Sequence, residues 1–197
     1  MISRSIAWLA VPVTLALTCS VQAAPTFFAG TGHYYEHIAT TTTWAAARTA
    51  ALGMTHLGES GYLVTITSVE ENTFLSTLSG SGWIGGTDQT TEGMWVWADG
   101  PEAGVNFWNG NAAGSSPTFA SWGLFEPNNL ISEDYAEFSG GTWNDLADNN
   151  HSFGYFVEFN APSNTIPEPA SLLLLGIGLA GLGLVRRAQR HGRRTAA

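Results

Sequence analysis

Between Glu126 and Asp145 the chain packs Glu126-Pro127-Asn128, Glu133-Asp134 and Trp143-Asn144-Asp145 into twenty residues. Any fold for this chain must settle what these side chains do, because charge is scarce around them. Carboxylate and amide oxygens are the hard donors that calcium takes six to eight at a time. Each tripeptide alone also suits a polar turn. The three in this order, with so little other charge nearby, read as a cation-binding loop. A cis Glu126–Pro127 bond would let Glu126 and Asn128 point the same way, and cis X-Pro costs only about 0.5–1 kcal/mol.

The two ends read as processing segments. Residues 1–23 combine Arg4, an apolar run from Ile6 to Leu17 and the small-residue pattern Val21-Gln22-Ala23, which predicts a signal peptide cut after Ala23. Cys19, the single cysteine, falls inside it, so the exported chain is expected to contain no disulfide, thiol nucleophile or cysteine-ligated zinc. Ser171 to Val185 is apolar and Gly/Leu-rich, short against the roughly 20 residues of a full span, and is followed by five arginines. Residues 24–166 lie between these ends. They hold fifteen of the sixteen acidic residues (Glu168 is the other) and one basic residue, Arg48. Such a surface repels phosphate backbones and argues against nucleic acid as partner.

Patterning within 24–166 gives an α+β order. His33–Ile38 reads as a strand and Trp44–Leu52 as a helix. Tyr62–Thr67 alternates like a strand. Ser68 and Glu71 have capping-box spacing for a second helix running to about Leu78. Strands are expected at Trp83–Gly86, Met94–Trp97, Tyr135–Phe138 and Tyr155–Phe159. Asp99–Leu124 reads as a long Gly/Asn/Ser-rich loop of functional character. The histidines at 33, 37, 56 and 151 show no zinc spacing, and Glu70-Glu71 read as first-turn helix charges. No nucleophile elbow, zinc-protease helix or phosphate loop occurs, so no catalytic residue is assigned.

The Trp44-Ala45-Ala46-Ala47-Arg48 and Ser68-Val69-Glu70-Glu71-Asn72 segments, Trp83-Ile84-Gly85-Gly86, Trp95-Val96-Trp97 and the late motifs resemble a C-type lectin-like domain over about 33–160. That resemblance implies two helices, small antiparallel sheets and a long calcium-binding loop. It implies a principal Ca²⁺ held by Glu126, Asn128, Glu133, Asn144 and Asp145, which would also bind two sugar hydroxyls. The Glu-Pro-Asn order resembles members taking mannose or glucose. A second ion would use Asp88, Glu92, Glu133 and Asp134, with Asn129 standing where an Asp is usual. Val157, Tyr135, Asp148 and Ala50/Ala51 stand where the family commonly has cysteines, so tryptophan packing must replace disulfides. Residues 102–118 form an insertion beside the expected binding face. Trp122 is expected in the core, while Trp108 suits either sugar stacking or loop packing.

Pro167-Glu168-Pro169, the apolar stretch and the basic end resemble the PEP-CTERM sorting signal of Gram-negative bacteria over 167–197. It implies export, a transient membrane tether through an apolar helix and processing by an exosortase; an ordinary C-terminal anchor is the alternative. The expected function is a secreted or cell-surface calcium-dependent carbohydrate-binding protein acting on extracellular polysaccharide, as in a biofilm matrix. The alternative is an adhesion module for a protein or a surface, with calcium only structural. A hydrolase would need an acid–nucleophile pair that the sequence does not supply.

Overall fold

The computed structural model describes residues 24–148 and 153–162. The expected signal peptide with Cys19, the tail with its apolar helix, and His151 lie outside the described residues. Among the described residues no helix is long and apolar enough to cross a membrane.

The elements run β1 (Thr26–Phe28), β2 (His33–Thr42), α1 (Trp44–Leu52), β3 (Thr55–His56), β4 (Glu59–Leu63) and α2 (Val69–Leu75). Then follow β5 (Ser81–Thr87), β6 (Met94–Trp97), β7 (Asn106–Asn109), β8 (Tyr135–Ser139), β9 (Thr142–Leu146) and β10 (Phe153–Phe159). The fold is α+β, with one linked sheet network in the order β1-β2-β10-β5-β6-β7; β4 also pairs with β10, and β8 joins β5 to β9. The sheets are not purely antiparallel. β10 lies parallel to β5 through Gly154 and Tyr155 opposite Gly82 and Trp83. Gly82 permits this, since a Cβ there would stand 2.4 Å from the Gly154 carbonyl oxygen.

Helix α1 begins where Thr43 accepts from the Ala46 N–H. Its inner face carries Trp44, Ala47 and Ala51, all buried. The Trp44 indole N–H donates to the Ile84 carbonyl at 2.8 Å. Helix α2 ends at Leu75 rather than near Leu78. Ser68 caps it by accepting from the Glu71 N–H at 3.2 Å. Glu70 and Glu71 both stand in the first turn of α2, as expected, and Glu71 is 1% exposed. Its carboxylate accepts from the Thr67 N–H at 2.8 Å and the Tyr35 hydroxyl at 2.7 Å. That fastens the helix start to β2, and hydrogen bonds of this kind are what a buried carboxylate requires.

The positions where cysteines would be usual are filled by packing. Ala51 and Val157 are fully buried in one apolar cluster with Trp44, Trp83 and Phe159. Tyr135 stacks on Trp44 with ring centroids 4.6 Å apart. Asp148 accepts from the Ala45 N–H at the start of α1 at 3.2 Å. A second cluster holds Trp95, Trp97, Phe107 and Trp143. The five tryptophans expected in the core (44, 83, 95, 97, 143) are all buried.

Burial of Glu137 in β8 pushes its carboxyl up to about 7, against an opposing hydrogen bond from Ser81. A carboxyl raised in the folded state stabilises fully below its unfolded value and loses that contribution as pH rises through about 7. Glu137→Gln removes this loss. The variant is expected to exceed wild type by about 3 kcal/mol at pH 8, with the gap closing toward pH 4. Urea unfolding at both pH values measures it; an equal gap at both would show that ionisation of Glu137 is not the cause.

Candidate functional site

The site is built on β9 and the loop from Gly123 to Asp134. Residues 121–123 run beside β9: Trp143 N–H donates to Ser121, and Gly123 N–H donates to Trp143, at 2.9 and 2.8 Å. This holds the next residues over the β9 end that carries Asn144 and Asp145. The Glu126–Pro127 bond is cis. The Asn128 amide donates to the Glu126 carboxylate at 2.5 Å, so the two side chains share one side of the loop.

Asp145 is fully buried and organises the turn. Its two oxygens accept from the Asn128 and Asn129 N–H groups at 3.0 and 2.7 Å. Glu133 is buried and accepts from the Leu130 N–H at 2.9 Å, while its own N–H donates to the Asn129 side chain at 2.8 Å. The structure thus brings Glu126, Asn128 and Asp145 together and ties Glu133 to the same loop. Asn144 neighbours Asp145 in β9, half-buried, and its side chain makes no hydrogen bond among the described residues.

Among the described residues no basic side chain pairs with the acids of this loop. Burial, and then the Asp145 carboxylate beside it, push the Glu126 carboxyl up to about 7. Arg48, the one basic residue of 24–166, is held by Asp99 through two hydrogen bonds of 2.6 and 2.9 Å. Asp88 is 3% exposed, and one of its carboxylate oxygens is buried without a partner among the described residues. Burial, opposed by the Gly93 N–H and reinforced by Glu92, Asp134 and Asp145, raises Asp88 to about 7 as well. Among the described residues no three acidic or imidazole groups cluster tightly enough to cage an ion by themselves. The donors here are mixed carboxylate and amide oxygens, the chemistry that suits a hard cation completed by water or hydroxyl ligands.

A groove of about 410 Å³ opens beside this loop, lined by Asp88, Glu92, Trp95, Asn111, Asn128 and Asp145 among others. Two of the expected second-ion residues, Asp88 and Glu92, face it. Glu133 does not line it. Sequence reasoning missed Trp95 and Asn111 as lining residues. It also read 99–124 as loop throughout, whereas Asn106–Asn109 forms β7 against β6. The adjacent aromatics Phe107 and Trp108 between two asparagines were the local signal in the sequence. Trp108 takes the loop-packing role: its indole N–H donates to the Gly110 and Asn111 carbonyls at 3.0 and 3.2 Å, fixing the turn that walls the groove. Trp122 packs against the core beside Trp95 and Trp143.

A two-helix domain on a mixed sheet, carrying an acid- and amide-rich loop around a cis Glu-Pro-Asn turn, has the architecture of a C-type lectin domain. The Lectin C-type domain family model matches residues 41–155, and the chain belongs to that family. A PEP-CTERM protein-sorting motif matches residues 165–187, which points to an exported protein. Halomucin of Haloquadratum walsbyi is 40% identical over 134 residues, covering 66% of this chain and 2% of that protein. The alpha-N-acetylgalactosamine-specific lectin of Patiria pectinifera is 33% identical over 129 residues, covering 59% of this chain and 68% of the lectin. The chain spans less than half the length of the first curated relatives it matches. Among solved structures, the cow CD23 carbohydrate-recognition domain in the presence of a GlcNAc2Man3 oligosaccharide superposes with a TM-score of 0.54 at 26% identity. That match covers 72% of this chain and 95% of the CD23 chain. C-type lectin domains generally bind calcium, and they are binding proteins rather than enzymes.

Proposed function

We propose that this is an exported, calcium-dependent carbohydrate-binding protein of mannose/glucose type, acting at the surface of a Gram-negative cell or in its polysaccharide matrix. The signal peptide (1–23), lectin domain (24–166) and sorting tail (167–197) serve that route, with an exosortase as processing partner and the tail as transient tether. The observation that carries the reading is the meeting of Glu126, Asn128 and Asp145 at the cis Glu-Pro turn, with no basic side chain paired to them among the described residues. Glu126, Asn128, Glu133, Asn144 and Asp145 would hold the principal Ca²⁺. A second, weaker ion at Asp88, Glu92, Glu133 and Asp134 would require these carboxylates, which do not cluster tightly as they stand, to close around it; the buried unpartnered oxygen of Asp88 supports it. The principal set carries three negative charges, which suits an extracellular affinity on the order of 10⁻⁴–10⁻³ M.

Two sugar hydroxyls can each give a lone pair to the ion, donate a proton to a carboxylate and accept from an asparagine NH₂. The Glu126–Asn128 pair supplies one carboxylate and one amide for this. Glu126→Gln with Asn128→Asp keeps the oxygens and the net charge but exchanges donor for acceptor. Calcium binding is expected to persist, while affinity for a mannose-type ligand falls about 5- to 150-fold, the cost of one buried unpaired polar group. Calorimetric titration of sugar into both proteins at fixed calcium reads this. Equal sugar affinity in the two would move the reading to an adhesion module whose ligand is a protein or a surface.

A further inference from the structure

Four large apolar side chains bracket the Glu126–Asn129 turn, and all stand in solvent: Leu124 at 83% exposure, Phe125 at 74%, Leu130 at 67% and Ile131 at 85%. The other exposed large apolar residues of the described chain reach only 40–58%. The backbone holds the rim in this arrangement. Phe125 and Ile131 adopt left-handed φ values of 71° and 65°, with Asn129 at 50° and Ser132 at 60° between and beside them. A β-branched residue in that region is an outlier that persists only where the surroundings impose it, and such residues gather at ligand-binding segments. A contiguous exposed apolar patch marks an interaction surface.

This rim is continuous with the sugar site proposed above, on which the inference rests. Leu124 and Phe125 immediately precede Glu126, and Leu130 and Ile131 immediately follow Asn129. A substituent on a sugar held by Glu126 and Asn128 leaves the site at a turn flanked in sequence on both sides by these four exposed side chains. The neighbouring groove is a poorer place for it, being lined mainly by acids and amides (Asp88, Glu92, Asn111, Asn128 and Asp145) with Trp95 and Pro127. Charge narrows the occupant further. With fifteen acidic residues against one arginine in 24–166, the domain is repelled by an anionic bilayer and by another copy of itself. An uncharged chain carried by the sugar meets no such barrier. We propose that the rim binds the alkyl or acyl chain of a glycolipid whose sugar occupies the Glu126–Asn128 edge.

The test compares methyl and octyl glycosides of mannose and glucose, the octyl forms below their micelle threshold, by calorimetry in saturating calcium. The octyl glycoside is expected to bind about tenfold tighter or better, since each buried methylene adds to affinity. In Leu124→Ser/Phe125→Ser/Ile131→Ser the octyl advantage is expected to fall to within about twofold of methyl, while methyl glycoside affinity and melting temperature hold. The altered side chains are exposed, so folding does not depend on them. Methyl binding without an octyl advantage overturns the rim and leaves the sugar site standing. Binding of neither glycoside removes both. Sedimentation velocity and flotation with phosphatidylcholine vesicles run alongside. Self-association or vesicle binding that the triple variant abolishes, in the absence of an octyl advantage, assigns the rim to those partners and overturns the proposal.

Discussion

Trp143→Ala is expected to destabilise the domain by about 3–5 kcal/mol, enough to unfold a marginal domain at physiological temperature. The indole is 1% exposed and meets Trp97, Phe107, Phe119 and Trp122 at centroid distances of 5.7–5.9 Å. Its N–H donates to the Asn72 side chain of α2 at 2.8 Å. Removing it leaves a large cavity and an unpaired buried amide oxygen together. It also removes the ring that anchors the residue just before Asn144 and Asp145. Trp143→Phe keeps much of the ring contact but loses the hydrogen bond and some packing, so its cost is expected nearer 1–3 kcal/mol. Urea unfolding of the three proteins orders them. A Trp143→Ala variant within 1 kcal/mol of wild type would mean that this cluster does not hold the domain together (a chosen margin, well under the expected cavity cost).

Asp145→Ala is expected to abolish calcium-dependent stabilisation and sugar binding together. The fully buried carboxylate accepts two loop N–H groups, each a charge-assisted bond worth about 1.5–3 kcal/mol, and stands in the proposed ion site. Wild type at about 100-fold excess of calcium over Kd should gain about 2.7 kcal/mol of stability. The variant should gain none, and its melting temperature without calcium should already be lower. A variant that still gains stability from calcium and retains sugar binding would remove Asp145 from the site.

The sequence made much of this legible, for physical reasons that differ by element. Helix α1 was readable to the residue, because Thr43 supplies a cap and Gly53 follows the last turn. The cap of α2 was readable too, but not the destination of Glu71. Its partners Tyr35 and Thr67 depend on tertiary placement of β2 against the helix start, and charge pattern alone favours the surface. Strand β7 was missed because Asn106 and Asn109, poor strand formers, bound a short run whose stability comes from pairing with β6. The parallel contact of β10 with β5 joins residues about seventy apart and leaves no local trace. At the site, the lectin resemblance implied Glu126, Asn128, Glu133, Asn144 and Asp145, which stand as proposed ligands. It could not reveal that Asp145 binds the loop backbone, nor that the 102–118 insertion walls the groove through Asn111. The apolar rim passed unnoticed because Leu, Phe and Ile in a sequence read as core until their exposure is known.

The most direct test of the central claim is glycan binding by the purified protein on an array of mannose-, glucose- and galactose-containing glycans, with millimolar calcium and with chelator. The account predicts binding to mannose- or glucose-type glycans in calcium and its loss in chelator, restored when calcium is returned. Binding of unchanged strength in chelator, or no glycan bound under either condition, would contradict it.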